Sequence, residues 1–190
     1  MKKIKHRLRD TEIEVKYKLK DKKVVLDWLN QNAKEIKNRY MDRTYSLWDR
    51  IKALSRMGVF VRTRQEGSKH TFTIKTRDLK LVSRYAERTE YNLEIEDASR
   101  MAEMLRMIGL EDMRILEKYR TMWKYKVCII VIDETPIGDF IEIEGPKQNL
   151  EELIKILKLK GKRITQAYWD VYRDYCRKKG IDEENNLVFN

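Results

Sequence analysis

The chain has 190 residues, which is within the size range of one folded domain, and 42% of them are hydrophobic, which is enough for a substantial core. A formal net charge of +11 predicts a polyanionic partner, such as a nucleic acid, an anionic membrane or a phosphorylated small molecule. No apolar run approaches the roughly 18 residues of a membrane span, and no apolar segment follows the basic start as it would in a secretion signal. Cys128 and Cys176 lack a metal-binding spacing, so we expect a reduced, cytoplasmic protein that does not enter a membrane.

The first predicted strand, Thr11–Leu19, contains the most informative stretch of the sequence. Strand alternation puts Glu12, Glu14 and Lys16 on one face, while two β-branched residues point to the other. Adjacent ionisable groups are costly to bury unless they pair or coordinate something. The strand is therefore either a solvent-facing amphipathic edge or one wall of a wet, charged site.

Hydrophobic periodicity predicts the remaining elements in chain order. The further strands are Arg39–Leu47, Val59–Gln65, His70–Thr76, Tyr85–Glu96, Glu111–Trp123, Tyr125–Asp133 and Asp139–Glu144. The helices are Lys22–Ala33, Ala98–Ile108, Asn149–Leu159 and Thr165–Lys179. Eight strands suffice to close a barrel, and the helices would pack around it, which is an α+β fold. The chain has no Gly-, Ser- or Pro-rich linker, so we expect a single domain over residues 1–190.

The helices carry apolar stripes that predict core packing. Leu150 and Leu153 belong to a helical stripe that is typical of a core-facing helix and not of a cofactor site. The last helix is rich in aromatic residues, which could stack on bases but at this spacing favour helix docking. Tyr168 stands apart from the docking residues Trp169 and Tyr172 in this interpretation.

Charged residues also alternate on the other predicted strands. Basic side chains share faces on the middle strands, at Arg62, Arg64, Lys75, Arg88, Lys118 and Arg120. Carboxylates gather on the first and last strands, where Glu142 and Glu144 repeat the spacing of the first pair. If these faces point inward, the interior is a polar tunnel in which guanidinium groups bind phosphate oxygens. The carboxylates would then require Mg²⁺ or Mn²⁺ to bridge them to the phosphates, whereas the alternative is a set of surface salt bridges.

Together these motifs resemble the CYTH family, the triphosphate tunnel metalloenzymes that include thiamine triphosphatases, inorganic triphosphatases and class IV adenylate cyclases. The likeness spans roughly Thr11 to Tyr175, so the core of the domain is expected over about 11–175. The matching residues are Glu12, Glu14 and Lys16 for Glu-x-Glu-x-Lys, Val61-Arg62-Thr63-Arg64 for Leu-Arg-x-Arg, Thr73 and Lys75 for Thr-x-Lys, Arg88 and Glu90 for Arg-x-Glu, Lys118 and Arg120 for Lys-x-Arg, the acidic Asp133, Gly138 to Glu144 for Gly-x-Phe-x-Glu-x-Glu, and Ala167-Tyr168 for a Ser-Tyr pair.

The resemblance implies a closed eight-stranded antiparallel β-barrel, the triphosphate tunnel, with specific roles for its residues. Mg²⁺ or Mn²⁺ would be held by Glu12, Glu14, Asp133, Glu142 and Glu144. Phosphates would be bound by Lys16, Arg62, Arg64, Lys75, Arg88, Lys118 and Arg120. In family triphosphatases a lysine-tyrosine dyad activates water; Lys16 and Lys75 are the candidate lysines, with Tyr45 the first choice of tyrosine and Tyr40 the second. One of Lys160, Lys162 and Arg163 could add a phosphate ligand.

Three functions remain open at this point. The leading prediction is a metal-dependent triphosphatase that acts on inorganic, thiamine or nucleoside triphosphate. The second is a class IV adenylate cyclase, which is supported by His6 at the expected distance before the first motif but weakened by Arg7 in place of phenylalanine. The third is a non-catalytic binder of polyphosphate or nucleic acid that uses the basic surface. A triphosphate-containing small molecule is the favoured partner, and the protein could be a monomer or a homodimer.

Overall fold

The computed structural model describes residues 10–80, 83–182 and 186–189, and within them the strands form one closed antiparallel barrel. The strands are β1 Asp10–Lys18, β2 Lys34–Trp48, β3 Val59–Glu66, β4 Lys69–Thr76, β5 Ala86–Ile95, β6 Asp112–Tyr125, β7 Cys128–Thr135 and β8 Gly138–Glu144. The helices are α1 Lys22–Asn32, α2 Ala53–Arg56, α3 Ala98–Met107, α4 Lys147–Ile156 and α5 Tyr168–Lys179. The predicted fold class is therefore confirmed. His6 and the rest of the basic start lie outside the described residues.

The strand order around the barrel is β1-β5-β4-β3-β2-β6-β7-β8. This circular order is unchanged when β1, β2, β3 and β4 are exchanged with β5, β6, β7 and β8. Such symmetry is what a duplicated strand-helix-strand unit would produce. The halves are joined by the pairings β1–β5, β4–β5, β2–β6 and β1–β8.

The cross-strand register aligns the charged residues of neighbouring strands, so that they form one charged surface around the inside of the barrel. Residues that pair directly across neighbouring strands point to the same side of a sheet. Glu12 pairs with Arg88 across β1 and β5, and Lys16 pairs with Glu142 across β1 and β8. Opposite charges thus face each other across several strand pairs. The alternate residues of each strand point outward, where helices cover many of them, although Tyr91 and Leu93 of β5 are exposed.

Two apolar clusters hold helices against the outside of the barrel. The larger cluster packs α1 and α4 on strands β1, β7 and β8, with Leu29, Leu150 and Ile143 fully buried. Asp21 begins α1 by accepting a hydrogen bond from the Val24 amide. The second cluster packs α3 against β2 and β6. None of the helices in the described ranges is long and apolar enough to cross a membrane.

A third cluster attaches α5 at one end of the barrel. Phe140 of β8 is fully buried, and its ring meets that of Tyr168 edge-on at 5.3 Å. Trp48 of β2 meets Trp169 edge-on at 6.1 Å. The aromatic residues of the last helix therefore dock, as expected.

Several predicted boundaries were wrong. The last helix begins at Tyr168 and not at Thr165, because Ile164 instead donates a backbone hydrogen bond to the Lys16 carbonyl at 2.9 Å. The seventh strand does not begin at Tyr125, which ends β6 before a turn in which Lys126 has φ 53°. Strand β2 begins earlier than predicted, and the four residues of α2 carried too little periodicity to be predicted.

We expect Leu150→Ala to lower the free energy of unfolding by about 2–5 kcal/mol, because it leaves a cavity between α4 and the barrel. Leu150 is 0% exposed, whereas Met107 on α3 is 85% exposed. Met107→Ala is therefore the control and should change stability by less than about 0.5 kcal/mol. Chemical denaturation of both variants measures the difference. Equal stability of the two variants would contradict this description of the core.

Candidate active site

The inner surface of the barrel encloses a cavity of about 580 Å³. Strand alternation turns toward it most of the side chains that the sequence singled out. These are Glu12, Glu14, Lys16, Arg62, Arg64, Lys75, Arg88, Lys118, Arg120, Glu142 and Glu144. The structure thus brings the predicted basic and acidic residues together around one cavity, although their roles stay predictions.

Lys75 of β4 lies between two carboxylates. Its Nζ is 2.9 Å from Glu12 Oε2 and also forms an ion pair with Glu90. Burial, followed by the nearby Arg62 guanidinium, lowers the pKa of Lys75 to about 7. A substantial fraction of Lys75 can therefore be neutral near pH 7.

Arg62 and Arg64 of β3 are basic groups with few hydrogen bonds. Arg62 comes no closer than 3.8 Å to Glu90, and Arg64 lies 3.5 Å from Asp42. The Nε atoms of both arginines are buried and have no hydrogen-bond partner among the described residues. Burial and the like charge of Arg64 lower the pKa of Arg62 to about 9. Buried donors without partners are uncommon in proteins, and here they belong to two side chains that line the cavity.

Asp42 of β2 is a site residue that the sequence did not single out. It is fully buried and lies 3.5 Å from Arg64, 3.7 Å from Lys118 and 4.0 Å from Arg120. Thr44 donates a hydrogen bond to its Oδ1 at 3.0 Å. Burial alone would raise the pKa of Asp42, but these cations lower it to about 2. One carboxylate thus holds cations from two strands.

Asp133 of β7, predicted as a metal ligand, has a different position. It is fully buried and accepts hydrogen bonds from Lys118 at 2.8 Å, from two nitrogens of Arg120 at 2.7 and 2.6 Å, and from the Tyr168 hydroxyl at 2.8 Å. These donors occupy both carboxylate oxygens. Metal binding by Asp133 stays a prediction; in this structure its oxygens orient Lys118 and Arg120.

Neither tyrosine chosen for the dyad is among the residues that line the cavity, although Tyr40 pairs with Arg120 and its hydroxyl contacts Glu66. Tyr45 points outward and is buried against α3 with Leu47 and Ala98, so its prediction as the catalytic tyrosine is wrong. Its neighbour Thr44 faces the cavity instead. Tyr40 donates a hydrogen bond to a glutamate of β3, and burial raises the pKa of its hydroxyl, which disfavours a role as a base.

Tyr168, which begins α5, is a tyrosine that does line the cavity. The Nζ atoms of Lys16 and Lys118 lie 4.2 and 4.6 Å from the centre of its ring. Burial and the neighbouring Asp133 carboxylate raise the pKa of its hydroxyl well above the usual value. Tyr168 therefore acts as a hydrogen-bond donor and as a cation-binding face. In the sequence, Tyr168 was already set apart from the docking residues Trp169 and Tyr172, and this separation indicated a role in the site.

The carboxylates on β1 and β8 pair with basic residues. Glu14 accepts a hydrogen bond from Arg88 at 2.7 Å, and Glu142 lies 3.0 Å from Lys16 and 2.7 Å from Arg120. No group of three or more His, Cys, Asp and Glu side chains in the described part of the chain is already arranged around a single point as in a metal site.

Glu144 differs from these paired carboxylates. Glu144 is exposed, but partial burial of its carboxyl group, with the charges of Glu12 and Glu14, raises its pKa to about 7. The inner carboxylates therefore repel one another, and an added cation would relieve that repulsion.

A segment before α5, residues 163–166 and here named the strap, completes the wall where β1 parts from β5. The carbonyl of Gln166 accepts a hydrogen bond from Lys16 Nζ at 3.3 Å, and that of Thr165 accepts one from Arg88 at 3.1 Å. Arg163 is directed away from the cavity, toward Tyr17 and α4. None of Lys160, Lys162 and Arg163 lines the cavity, so the prediction of a phosphate ligand among them is wrong.

The α5 end of the cavity is lined by aromatic and basic side chains. Trp48, Phe60 and Trp169 lie there together with Arg77 and Arg173. The cavity therefore extends from the charged centre to a region that could receive an aromatic group.

Comparisons with known proteins agree with this architecture. The model of the CYTH domain family matches residues 10–168. A Methanocaldococcus jannaschii protein named "Putative adenylate cyclase" is 25% identical over 150 residues, which are 77% of this chain and 83% of the relative.

Solved structures share the fold. A Vibrio parahaemolyticus protein with the same kind of name has a TM-score of 0.72 at 16% identity, covering 86% of this chain and 98% of its own. A Hippeastrum protein described as having a dominant triphosphatase activity has a TM-score of 0.60 at 16% identity, covering 86% of this chain and 96% of its own. At these identities the likeness shows the fold alone.

We expect Asp42→Asn to destabilise the fold by about 3–5 kcal/mol at pH 7, because buried cations lose their shared counter-charge. The pKa of Asp42 is about 2 in the folded state against an ordinary 3.8, so its contribution is complete above about pH 4 and is lost as the pH falls through about 2. The stability deficit of the variant should therefore narrow between pH 5 and pH 2 in denaturant titrations. The exposed Asp27→Asn is the control, and a deficit that does not change with pH would contradict this role of Asp42.

Proposed function

Because the chain belongs to the CYTH domain family, we propose that it is a divalent-metal-dependent triphosphatase that binds inorganic or organic triphosphate in its tunnel. The observation that carries this proposal is the convergence of the Arg62, Arg64 and Arg120 side chains on one cavity, together with the buried Nε atoms of Arg62 and Arg64 that have no hydrogen-bond partner among the described residues. Guanidinium groups in this state are prepared to bind phosphate oxygens. The description of the Hippeastrum relative adds support.

The basic residues would divide between binding and charge stabilisation. Arg62, Arg64 and Arg120 lie on two strands that flank Asp42, so together they could contact a chain of phosphates along the cavity. In phosphoryl transfer, positioning and electrostatic stabilisation supply most of the rate. Asp133 and Tyr168 would hold Arg120 and Lys118 in place during the reaction.

Lys75 is the favoured proton acceptor. A water oxygen would attack the terminal phosphorus as the water gives a proton to neutral Lys75 Nζ, and the bond from that phosphorus to the bridging oxygen of the diphosphate would break. The pKa of about 7 makes the neutral amine available near pH 7. Lys16 is held by Glu142 and the Gln166 carbonyl, much as Lys75 is held by Glu12 and Glu90, so the lowered pKa of Lys75 is the reason for choosing it. Lys16 would instead bind phosphate.

The carboxylates fit Mg²⁺ or Mn²⁺ by their chemistry. Glu12, Glu14, Glu142 and Glu144 offer oxygen ligands, which these hard cations prefer. Glu12, Glu14 and Glu142 pair with basic residues that would bind phosphate instead when substrate is present. Partial burial and its acidic neighbours raise the pKa of Glu144 to about 7. When bound, the metal would supply charge neutralisation of the triphosphate. We therefore propose these four glutamates, without Asp133, as its ligands.

A class IV adenylate cyclase is the second candidate. The observation that favours it is the end of the cavity lined by Trp48, Phe60 and Trp169, which has room for a nucleobase beyond the charged centre. The name of the Methanocaldococcus jannaschii relative points the same way. In that reaction the ribose 3′-hydroxyl would attack the α-phosphorus and pyrophosphate would leave.

Phosphorus NMR with Mg²⁺ or Mn²⁺ and, separately, inorganic triphosphate, thiamine triphosphate and ATP should show release of orthophosphate. Addition of a chelator should stop the release, because the carboxylates alone would repel the substrate. Release of pyrophosphate together with cyclic AMP from ATP would show that the protein is the cyclase and not the triphosphatase. Binding without any turnover would replace both by the non-catalytic binder.

Arg62→Ala should reduce kcat/KM by about 100-fold or more, since a preorganised donor to the transferred phosphoryl group is lost. Lys23 lies on α1 with its side chain 83% exposed, and Lys23→Ala removes one positive charge far from the cavity. This control should keep the activity of the unmodified chain. Steady-state phosphate release compares the variants, and similar values of kcat/KM for both would remove Arg62 from the site.

A further inference from the structure

The strap is seated by its backbone in a gap of the barrel. The pairing of β1 with β5 ends where Glu14 meets Ala86, and beyond this point the Ile164 amide donates to the Lys16 carbonyl at 2.9 Å. The strap therefore takes the place of a strand neighbour for the last part of β1. Its position decides whether the tunnel wall is complete at Lys16.

The inner side of the strap contacts two of the proposed phosphate-binding residues. The Gln166 carbonyl accepts from Lys16 Nζ at 3.3 Å, and the Thr165 carbonyl accepts from Arg88 Nη2 at 3.1 Å. Both contacts use backbone atoms, so they depend on where the strap lies and not on its side chains. Displacement of the strap would release Lys16 and Arg88 together.

The outer side of the strap is tied down by a set of side chains here named the latch: Tyr17, Tyr85, Glu151 and Arg163. Arg163 Nε donates to the Tyr17 hydroxyl at 2.8 Å, and its Nη2 donates to Glu151 Oε2 at 2.6 Å. The Tyr85 hydroxyl donates to Glu151 Oε1 at 2.5 Å. Tyr17 is buried, on β1, and Glu151 lies on α4. The latch therefore joins the strap to two elements of the rigid frame.

The latch is chemically well matched. Glu151 accepts hydrogen bonds on both carboxylate oxygens, and the Arg163 and Tyr85 donors lower the pKa of Glu151 to about 2. Charge-assisted hydrogen bonds of this kind are stronger than neutral ones. The neighbouring Lys160 and Lys162 are exposed, and neither belongs to the latch.

We propose that Arg163 is a positioning residue whose latch keeps the strap seated and thereby holds Lys16 and Arg88 ready for triphosphate. The proposal rests on the proposed function for its ligand, but the latch can be tested without turnover. If the strap leaves its seat for part of the time, only the seated fraction binds tightly, and the apparent affinity falls by that fraction. Saturating triphosphate would restore the seated state, so KM should change while kcat does not.

The first measurement is hydrogen exchange of the Ile164 amide in Arg163→Ala. Lys162→Ala is the control, because it removes an equal charge from the preceding residue. Exchange should accelerate in Arg163→Ala only, because that amide is protected by the seated strap. Amides of the β7–β8 pairing, such as the Ile130–Ile143 pair, should exchange as before if the barrel stays folded. Equal Ile164 exchange in the two variants would overturn the latch.

The second measurement is binding and turnover of inorganic triphosphate by the same variants. Arg163→Ala should weaken binding and raise KM by about tenfold with kcat nearly unchanged. The charge-swapped pair Glu151→Arg with Arg163→Glu should recover most of the loss, which a merely destabilised fold would not do.

The outcomes separate the latch from the proposed function. Wild-type affinity in Arg163→Ala despite faster Ile164 exchange would overturn the positioning role. Failure of the wild-type chain to bind or hydrolyse any triphosphate would overturn the proposed function, and with it the ligand named for the strap, while the exchange data still decide whether the latch seats it.

Discussion

Mutual neutralisation of buried charges is the interaction on which the rest of this structure depends. A closed barrel that directs arginines and lysines inward concentrates like charges in a small volume, and their repulsion would open it. Asp42 and Asp133 counter this repulsion, since both are fully buried beside the cations. Asp42 contacts Arg64 and Lys118, and Asp133 contacts Lys118 and Arg120. The carboxylates of β1 and β8 complete the balance on the opposite wall.

These acids fall into two kinds with different physical consequences. Asp133 has both oxygens occupied by protein donors, so it is part of the permanent frame. Glu12 and Glu14 instead pair with Lys75 and Arg88, which also face the cavity and could exchange a carboxylate for a phosphate. A polar interior can thus be stable without ligand and still be available to one. Glu12 and Glu14 offset the desolvation of Lys75 and Arg88 in the unliganded protein, and a bound anion could displace these two carboxylates.

Much of this arrangement could be predicted from alternation alone, and the failures have local causes. Period-2 spacing placed Arg62, Arg64 and Lys75 on inner faces, and the register around the barrel agrees. The choice of Tyr45 rests on the family resemblance and not on alternation. The pairing of β2 with β6 has no register shift from Tyr40 to Trp48, and alternation there turns Thr44 inward and Tyr45 outward. Asp42 could not be found, since its partners lie on other strands.

The strap also determines when the tunnel can be finished. Lys16 and Gln166 are 150 residues apart in the chain, yet their contact closes the wall. β1 pairs with β5, with β8 and, at Lys16, with the strap, so it waits for partners that are synthesised much later. Contacts of such long sequence separation form slowly, and until they form the charged inner face is open to water and to other polyanions. During synthesis, the strand that carries Glu12, Glu14 and Lys16 is therefore exposed longest, and its high charge keeps an unpaired edge from joining other chains.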